Sequence, residues 1–143
     1  MSPDTGTILV IDDVEEHRDL LLQVLEDSGY RVSSASDGEE ALEILAGATP
    51  PRLILLDYRM PAVDGAEFLR RLRADPDPGR SAIPVVLMTG LAPHEWEREG
   101  ALDVAEVLEK PFGLGELRRV VVRFCGKGLA NHRWGSTSGH DPA

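Results

Sequence analysis

Leu53-Ile54-Leu55-Leu56-Asp57 is the clearest buried strand in the sequence, an apolar run of four residues that ends in an acidic one. Such a short apolar run is typical of a strand that is covered on both faces of a parallel sheet. Similar runs predict strands over 7–11 and 84–88, and the segment 105–109 is predicted to form a short fifth strand. The more polar segment 30–35 is predicted to form an edge strand.

Segments with helical periodicity alternate with these strands. They are 14–28, 36–47, 66–74, a weak Glu-rich one at 93–100, and 116–124. Ser36 and Glu39 have the spacing of a capping box at a helix start. The segment 75–80 contains two prolines and a glycine and is predicted to be irregular.

Five strand–helix units in this order predict an α/β fold, a doubly wound five-stranded parallel sheet with right-handed crossovers and helices on both faces. The chain has 143 residues, which suits one domain. We expect that domain to cover residues 1–125. Apolar periodicity stops afterwards, so residues 126–143 are predicted to form a flexible tail.

The amino-acid composition argues against several classes of protein. The net charge of −10 argues against direct binding of nucleic acid, which would need a basic surface. The single cysteine, Cys125, excludes an internal disulfide and a cysteine metal cluster and suits a reducing compartment. No signal peptide and no apolar run long enough to span a bilayer is found, so the sequence predicts a cytoplasmic protein without membrane insertion.

Polar residues stand at the ends of the first, third, fourth and fifth predicted strands. In open parallel sheets, ligands bind outside the carboxyl ends of the strands. These ends carry Asp12, Asp13, Asp57, Thr89 and Lys110. Each has an ordinary structural explanation when taken alone; Asp13, for example, could simply cap a helix. Their occurrence together at neighbouring strand ends favours a site.

The residue types indicate phosphoryl chemistry. Three carboxylates within about 4–6 Å repel one another unless a cation is bound. An all-oxygen ligand set suits a hard ion such as Mg²⁺, which commonly serves a phosphate. Lys110 could pair with phosphoryl oxygens, and the Thr89 hydroxyl could donate a hydrogen bond. We therefore expect phosphorylation on or beside Asp57, since carboxylates are known nucleophiles for such chemistry.

The motifs resemble those of the receiver domain of two-component response regulators, in particular single-domain members like the chemotaxis regulators. The resemblance covers about residues 5 to 125. It rests on Asp12-Asp13, on Leu55-Leu56-Asp57-Tyr58-Arg59-Met60-Pro61-Ala62-Val63-Asp64-Gly65, on Thr89-Gly90 and on Lys110-Pro111-Phe112. It implies the flavodoxin-like strand order 2-1-3-4-5.

The resemblance also implies roles for single residues. Asp57 would be the phosphoacceptor, taking the phosphoryl group of a phosphohistidine on a histidine kinase or phosphotransfer protein. Asp13 would bind Mg²⁺ directly and Asp12 mainly through water, with Asp57 and the backbone carbonyl of Arg59 completing the protein ligands.

Lys110 would pair with the phosphoryl group, and Thr89 would move toward it. The Lys110-Pro111 peptide bond would be cis. The implied protein is a phosphoacceptor that switches partner binding, as a single-domain regulator or a phosphorelay intermediate, and is not an enzyme apart from self-catalysed phosphotransfer and autodephosphorylation.

Two features depart from the family pattern. Val107 stands where an aromatic ring is usual, so readout is expected to rely on Thr89 and the segment after it. Gly90 follows Thr89 at a position where a small residue such as alanine is common in the family.

Two alternative functions belong to other classes of protein. A Mg²⁺-dependent phosphohydrolase would need Asp-x-Asp after the first strand, whereas the chain has Asp12-Asp13-Val14-Glu15. A receiver-like interaction module that works without phosphate would be expected to have lost an acidic residue or the lysine, and none is lost here.

Overall fold

A computed structural model of the chain describes residues 7–47, 49–58, 65–90 and 103–126. The predicted helix over 93–100 and all of the predicted tail except Gly126 lie outside these residues. Within them, no helix is long and apolar enough to cross a membrane.

The sheet has five parallel strands in the order β2-β1-β3-β4-β5. Their bounds are Thr7–Ile11 for β1, Arg31–Ala35 for β2, Leu53–Asp57 for β3, Val85–Thr89 for β4 and Glu106–Glu109 for β5. The predicted fold class and strand order are thereby confirmed, and β2 is an edge strand as expected.

The register aligns the carboxyl ends of the strands. Ile11 at the end of β1 pairs with Ala35 on β2 and with Leu56 on β3. Asp57 pairs with Met88, one residue before the end of β4. The residues that follow β1 and end β3 and β4 therefore lie on one rim of the sheet.

The helices cover both faces of the sheet. They are α1 (Glu15–Asp27), α2 (Gly38–Ala46), α3 (Gly65–Arg73), the one-turn α4 (Pro78–Ser81) and α5 (Leu114–Cys125). Buried side chains of α2 and α3 pack on one face, and those of α1 and α5 pack on the other.

The burial of β3 explains its apolar sequence. Ile54 and Leu56 belong to the core on the α2–α3 face, whereas Leu53 and Leu55 belong to the core on the α1–α5 face. All four side chains are fully buried. Because alternate residues of a strand point to opposite faces, a strand covered on both sides needs apolar residues at every position.

Two local predictions are wrong. The N-cap of α2 is Asp37, whose carboxylate accepts a hydrogen bond from the Glu40 N–H at 2.8 Å, rather than Ser36. Glu40, not Glu39, reaches back to accept from the backbone N–H and hydroxyl of Ser36, at 2.8 Å each. Ser and Asp are comparably good caps, so sequence preference alone did not fix which of two adjacent residues starts the helix.

The segment 75–80 is not wholly irregular, because α4 begins inside it at Pro78. Proline is compatible with the first helical position, where its missing N–H would have no partner in the helix. Asp77 caps this turn by accepting from the Gly79 N–H at 2.9 Å.

Candidate functional site

Asp12 is held at the end of β1 by its backbone and by one carboxylate oxygen. Its N–H donates to the Ala35 carbonyl at 3.1 Å, continuing the strand pairing. Its Oδ1 accepts from the Val14 N–H at 2.9 Å, and its carbonyl accepts from the Arg18 guanidinium at 2.7 Å. The residue is only 1% exposed. Its Oδ2 is buried and has no hydrogen-bond partner within the described part of the chain.

Asp57 ends β3 beside this group. The next residue, Tyr58, donates its N–H to the Met88 carbonyl at 3.1 Å, so the strand pairing continues past Asp57 and fixes its backbone. Asp57 is 6% exposed, whereas Asp13 lies at the surface. Carboxylate oxygens of Asp12, Asp13 and Asp57 lie within 4.8 Å of one another.

Gly65 at the start of α3 packs directly against the backbone that follows Asp57. Its N–H donates to the Tyr58 carbonyl at 3.2 Å. A Cβ at this position would lie 2.7 Å from the same carbonyl oxygen, closer than real Cβ atoms approach. Only glycine therefore allows the start of α3 to close against the end of β3.

Lys110 connects Asp57 to the end of β4. Its Nζ lies 3.4 Å from Asp57 Oδ1. Its backbone N–H donates to the carbonyl of Thr89 at 2.7 Å. The Lys110-Pro111 peptide bond is cis, as the resemblance implied. Thr89 is buried at the end of β4, on the rim where the sequence placed it.

The electrostatics of the site disfavour the ionised form of Asp57. Burial raises the pKa of the Asp57 carboxyl, the neighbouring Asp12 and Asp13 add to this rise and Lys110 opposes it, so that the net pKa changes from 3.8 to about 6. Removal from water and like charges both penalise a carboxylate, and one ammonium does not offset them here.

The residues fit a hard divalent cation. All three acidic side chains offer oxygen, and the buried Asp12 Oδ2 has no hydrogen-bond donor to satisfy it within the described residues. Buried polar atoms without a partner are costly, and a bound cation would remove that cost. The Arg59 carbonyl, the fourth expected ligand, lies outside the described residues.

The two departures from the family pattern have simple local structures. Val107 is half-buried and packs against the core on the α2–α3 face, so an aliphatic side chain occupies the usual position of a ring. A Cβ on Gly90 would lie 4.0 Å from Lys110 Cβ, an ordinary contact, so steric crowding does not require glycine there.

Sequence reasoning missed two features beside the site. His17 on the first turns of α1 places its Nδ1 3.7 Å from Asp12 Oδ2. A cavity of about 540 Å³ adjoins Asp12 and Lys110 and is lined mainly by apolar side chains, among them Leu20 and Phe112. The sequence offered one signal, for His17 alone: it follows Asp12 by five residues, across the connection from β1 into α1.

Comparisons with known proteins agree on one family. The family described as the response regulator receiver domain matches residues 8–122. Response regulator MprA of Mycobacterium ulcerans is 40% identical over 112 residues, which cover 77% of this chain and 46% of that protein. This chain thus spans about half the length of that relative.

Solved structures give the same result. Chemotaxis protein CheY4 of Vibrio cholerae has a TM-score of 0.74 and 28% identity, covering 83% of this chain and 98% of that one. The receiver domain of sensor histidine kinase PA1611 from Pseudomonas aeruginosa has a TM-score of 0.74 and 30% identity, covering 85% and 98%. The latter holds a magnesium ion in its active-site cleft.

Proposed function

Because this chain belongs to the response regulator receiver domain family of two-component systems, we propose that it accepts a phosphoryl group on Asp57 with Mg²⁺ bound and switches partner binding in response. The donor would be a histidine kinase or a histidine phosphotransfer protein. The chain would act as a regulator or as a phosphorelay intermediate, and as a phosphoacceptor rather than an enzyme with a separate substrate.

One observation carries this proposal, the convergence of three carboxylates and one ammonium on a single rim. Asp12, Asp13 and Asp57 lie within 4.8 Å of one another, and Lys110 lies 3.4 Å from Asp57. A structural ion pair would need only one acid and one base. Two further carboxylates raise the electrostatic energy and are best explained by a bound divalent cation.

In the proposed step, a carboxylate oxygen of Asp57 attacks the phosphorus atom of the donor's phosphohistidine. A P–O bond forms as the P–N bond breaks, and the bonding electron pair stays on the imidazole nitrogen. Lys110, already beside Asp57 Oδ1, would pair with the incoming phosphoryl oxygens. Bound Mg²⁺ would neutralise charge on those oxygens.

The family implies the metal ligands named from the sequence. Asp13, which is exposed, would bind Mg²⁺ directly, and Asp12 would bind it mainly through water. The buried Asp12 Oδ2 supports this assignment, because it needs a donor or a cation. Asp57 would be both ligand and nucleophile.

The apolar cavity beside the site supports a protein donor. It is bounded by α1 and by the segment after β5, and it reaches Asp12 and Lys110. Leu20, which lines this cavity, is 62% exposed and extends its apolar surface to the outside of the protein. A partner whose apolar helix face covered Leu20 and Phe112 would place a phosphohistidine next to Asp57.

Leu20→Asp is therefore expected to slow phosphotransfer from the phosphorylated kinase or phosphotransfer protein at least tenfold, because it puts a charge in an apolar contact. Phosphorylation by acetyl phosphate, which needs no docking, should keep its wild-type rate. Leu114→Asp is a matched control, since Leu114 is also exposed but does not line the cavity. Equal rates of transfer to wild type and Leu20→Asp would contradict the docking assignment.

The proposed compartment is the cytoplasm. The single cysteine supports it, because a chain without disulfides suits a reducing environment.

Incubation with acetyl phosphate, read by intact mass and a phosphate-sensitive gel, tests the proposed function. We expect one phosphoryl group per chain in the presence of Mg²⁺ and none in its absence. No gain of mass under either condition would leave the alternative of a phosphate-independent receiver-like interaction module.

A further inference from the structure

The helices α1 and α5 are neighbours on one face of the sheet, where their buried side chains belong to one core. The apolar cavity described above lies between their beginnings, because it is lined by Leu20 of α1 and by Phe112, just before α5. A hydrogen bond joins their ends: the Tyr30 hydroxyl, three residues after α1, donates to the carbonyl of Gly126. The two helices therefore run in the same direction, with the cavity at one end and Gly126 at the other.

Gly126 is the residue from which the segment 127–143 leaves the domain. It ends α5 with a φ of 81°, a left-handed conformation that residues with a side chain rarely adopt. The hydroxyl that holds its carbonyl belongs to a residue that is only 3% exposed, so this contact is part of the packed domain. The segment 127–143 therefore begins beside the end of α1, on the face of the sheet that also carries the cavity.

We propose that the segment 127–143 runs back along α1 and α5 and places the side chain of Trp134 in this cavity, where it competes with the phosphohistidine donor. The inference rests on the proposed function, because that function assigns the cavity to the donor. It makes a segment of the same chain an inhibitor of phosphotransfer. Residues 127–143 lie outside those that the structure describes, and the proposal is supported by their sequence and by the surface that they would meet.

The distance along the helices matches the position of Trp134 in the sequence. The helix α5 has 12 residues, so its two ends lie ~18 Å apart. Neighbouring helices are separated by ~8–10 Å, which adds little to the direct path from Gly126 to the cavity. Trp134 follows Gly126 by eight residues, and an extended chain of this length spans up to ~26 Å. Trp134 can therefore reach the cavity by the direct path along the two helices.

The side chains of the segment suit the surface around the cavity. An indole ring buries about 150–250 Å² when covered, and the cavity of about 540 Å³ offers it a mainly apolar lining that includes the exposed Leu20. The segment 127–143 has two basic residues and one acidic residue, in a chain with a net charge of −10. Arg133, next to Trp134, would lie near Glu16 and Asp19, which are exposed on the first turns of α1. Opposite charges therefore favour the same placement as the apolar contact.

Covalent attachment favours this segment over a separate occupant such as a second copy of the chain. A segment joined by a short linker meets its site at an effective concentration on the order of mM. A contact that would be too weak to hold a free peptide can therefore keep the cavity occupied. A phosphohistidine donor that docks on Leu20 and Phe112 must first displace it.

Tryptophan fluorescence of the full chain tests whether Trp134 is docked. In the variant Trp96→Phe, Trp134 is the only tryptophan. We expect acrylamide to quench its fluorescence at least about twofold less than that of N-acetyltryptophanamide, because the domain shields the indole. Adding Leu20→Asp should remove this protection, since it puts a charge in the apolar contact. Adding Leu114→Asp is the matched control and should leave the protection intact, because Leu114 is exposed but does not line the cavity.

Trp134→Ala tests the consequence for phosphotransfer. A phosphorylated kinase or phosphotransfer protein should transfer its phosphoryl group to this variant at least about threefold faster than to wild type, because the donor no longer competes with the indole. Trp96→Phe, which removes the other tryptophan, should keep the wild-type rate.

Four results would overturn the inference: full quenching of Trp134 by acrylamide, protection that survives Leu20→Asp, protection that is lost on dilution and so comes from a second copy, or equal rates of transfer to wild type and Trp134→Ala. Failure of acetyl phosphate to label the chain would instead contradict the proposed function. Because the quenching measurement needs no phosphorylation, the two failures are distinguishable.

Discussion

Asp57→Asn is expected to raise the free energy of unfolding of the metal-free protein by about 2 kcal/mol at pH 7.5. Burial and the neighbouring carboxylates raise the pKa of Asp57 from 3.8 to about 6, so the folded chain holds an unfavourable charge at neutral pH. Each pKa unit corresponds to about 1.4 kcal/mol, and the opposing effect of Lys110 is already contained in the net shift, so the shift supports a gain of this order. Asparagine has nearly the same shape as aspartate and carries no charge.

The pH dependence has a definite sign. Between pH 3.8 and about 6 the folded state binds more protons at Asp57 than the unfolded state does. The contribution of Asp57 to stability is therefore fully present below pH 3.8 and is lost as the pH rises through 6. The advantage of Asp57→Asn should accordingly be largest at pH 7.5 and shrink as the pH falls toward 4.

Urea unfolding of both proteins at several pH values, with a chelator present, measures this difference. Asp19→Asn is the control, because Asp19 is exposed on α1 and its replacement should change stability by less than about 0.5 kcal/mol. Saturating Mg²⁺ should reduce the advantage of Asp57→Asn, since the cation neutralises the wild-type site. If Asp57→Asn is no more stable than wild type at pH 7.5 without metal, the acidic group is not electrostatically strained.

Lys110→Arg is expected to keep phosphorylation on Asp57 but to lose most of the phosphate-dependent gain in partner affinity. Lys110 contacts Asp57 through its ammonium and Thr89 through its backbone N–H, so it links the acceptor to the end of β4. At 3.4 Å and an effective dielectric constant of about 20, the ion pair is attractive by ~5 kcal/mol before desolvation is subtracted. The planar guanidinium is wider than an ammonium and would hold its charge farther from the carboxylate.

Amide exchange with and without beryllofluoride, a phosphoryl mimic, measures the coupling without an identified partner. In wild type, exchange should change at Thr89 and along β5, whereas in Lys110→Arg these changes should be mostly absent. Lys127→Arg, the same replacement at the other lysine of the chain, should behave as wild type. A Lys110→Arg protein with the full wild-type response would show that this lysine does not couple Asp57 to the sheet edge.

The residues at the rim of the sheet could be predicted because each follows a strand that is recognisable from a short run of sequence. The apolar run that ends at Asp57 identifies a strand buried on both faces, and in a parallel sheet this fixes which end carries the site. Asp12, Thr89 and Lys110 follow from the same rule. The strand order itself came from the resemblance, since hydrophobic periodicity does not distinguish the possible orders.

The features that sequence reasoning missed depend on packing or on a choice between near-equal residues. Ser36 and Asp37 cap helices about equally well, and only the folded chain selects Asp37. His17 lies in the first turn of α1, and its approach to Asp12 depends on the geometry of the connection from β1 to α1. The cavity beside Leu20 exists only once α1 and the segment after β5 are side by side.

The residue that carries the phosphoryl group can be identified by comparing three proteins. Wild type, Asp57→Asn and Asp19→Asn would be incubated with acetyl phosphate and Mg²⁺ and followed by intact mass over time. We predict one phosphoryl group on wild type and on Asp19→Asn, and none on Asp57→Asn. Labelling of Asp57→Asn at the wild-type rate would contradict the assignment of Asp57 as the phosphoacceptor.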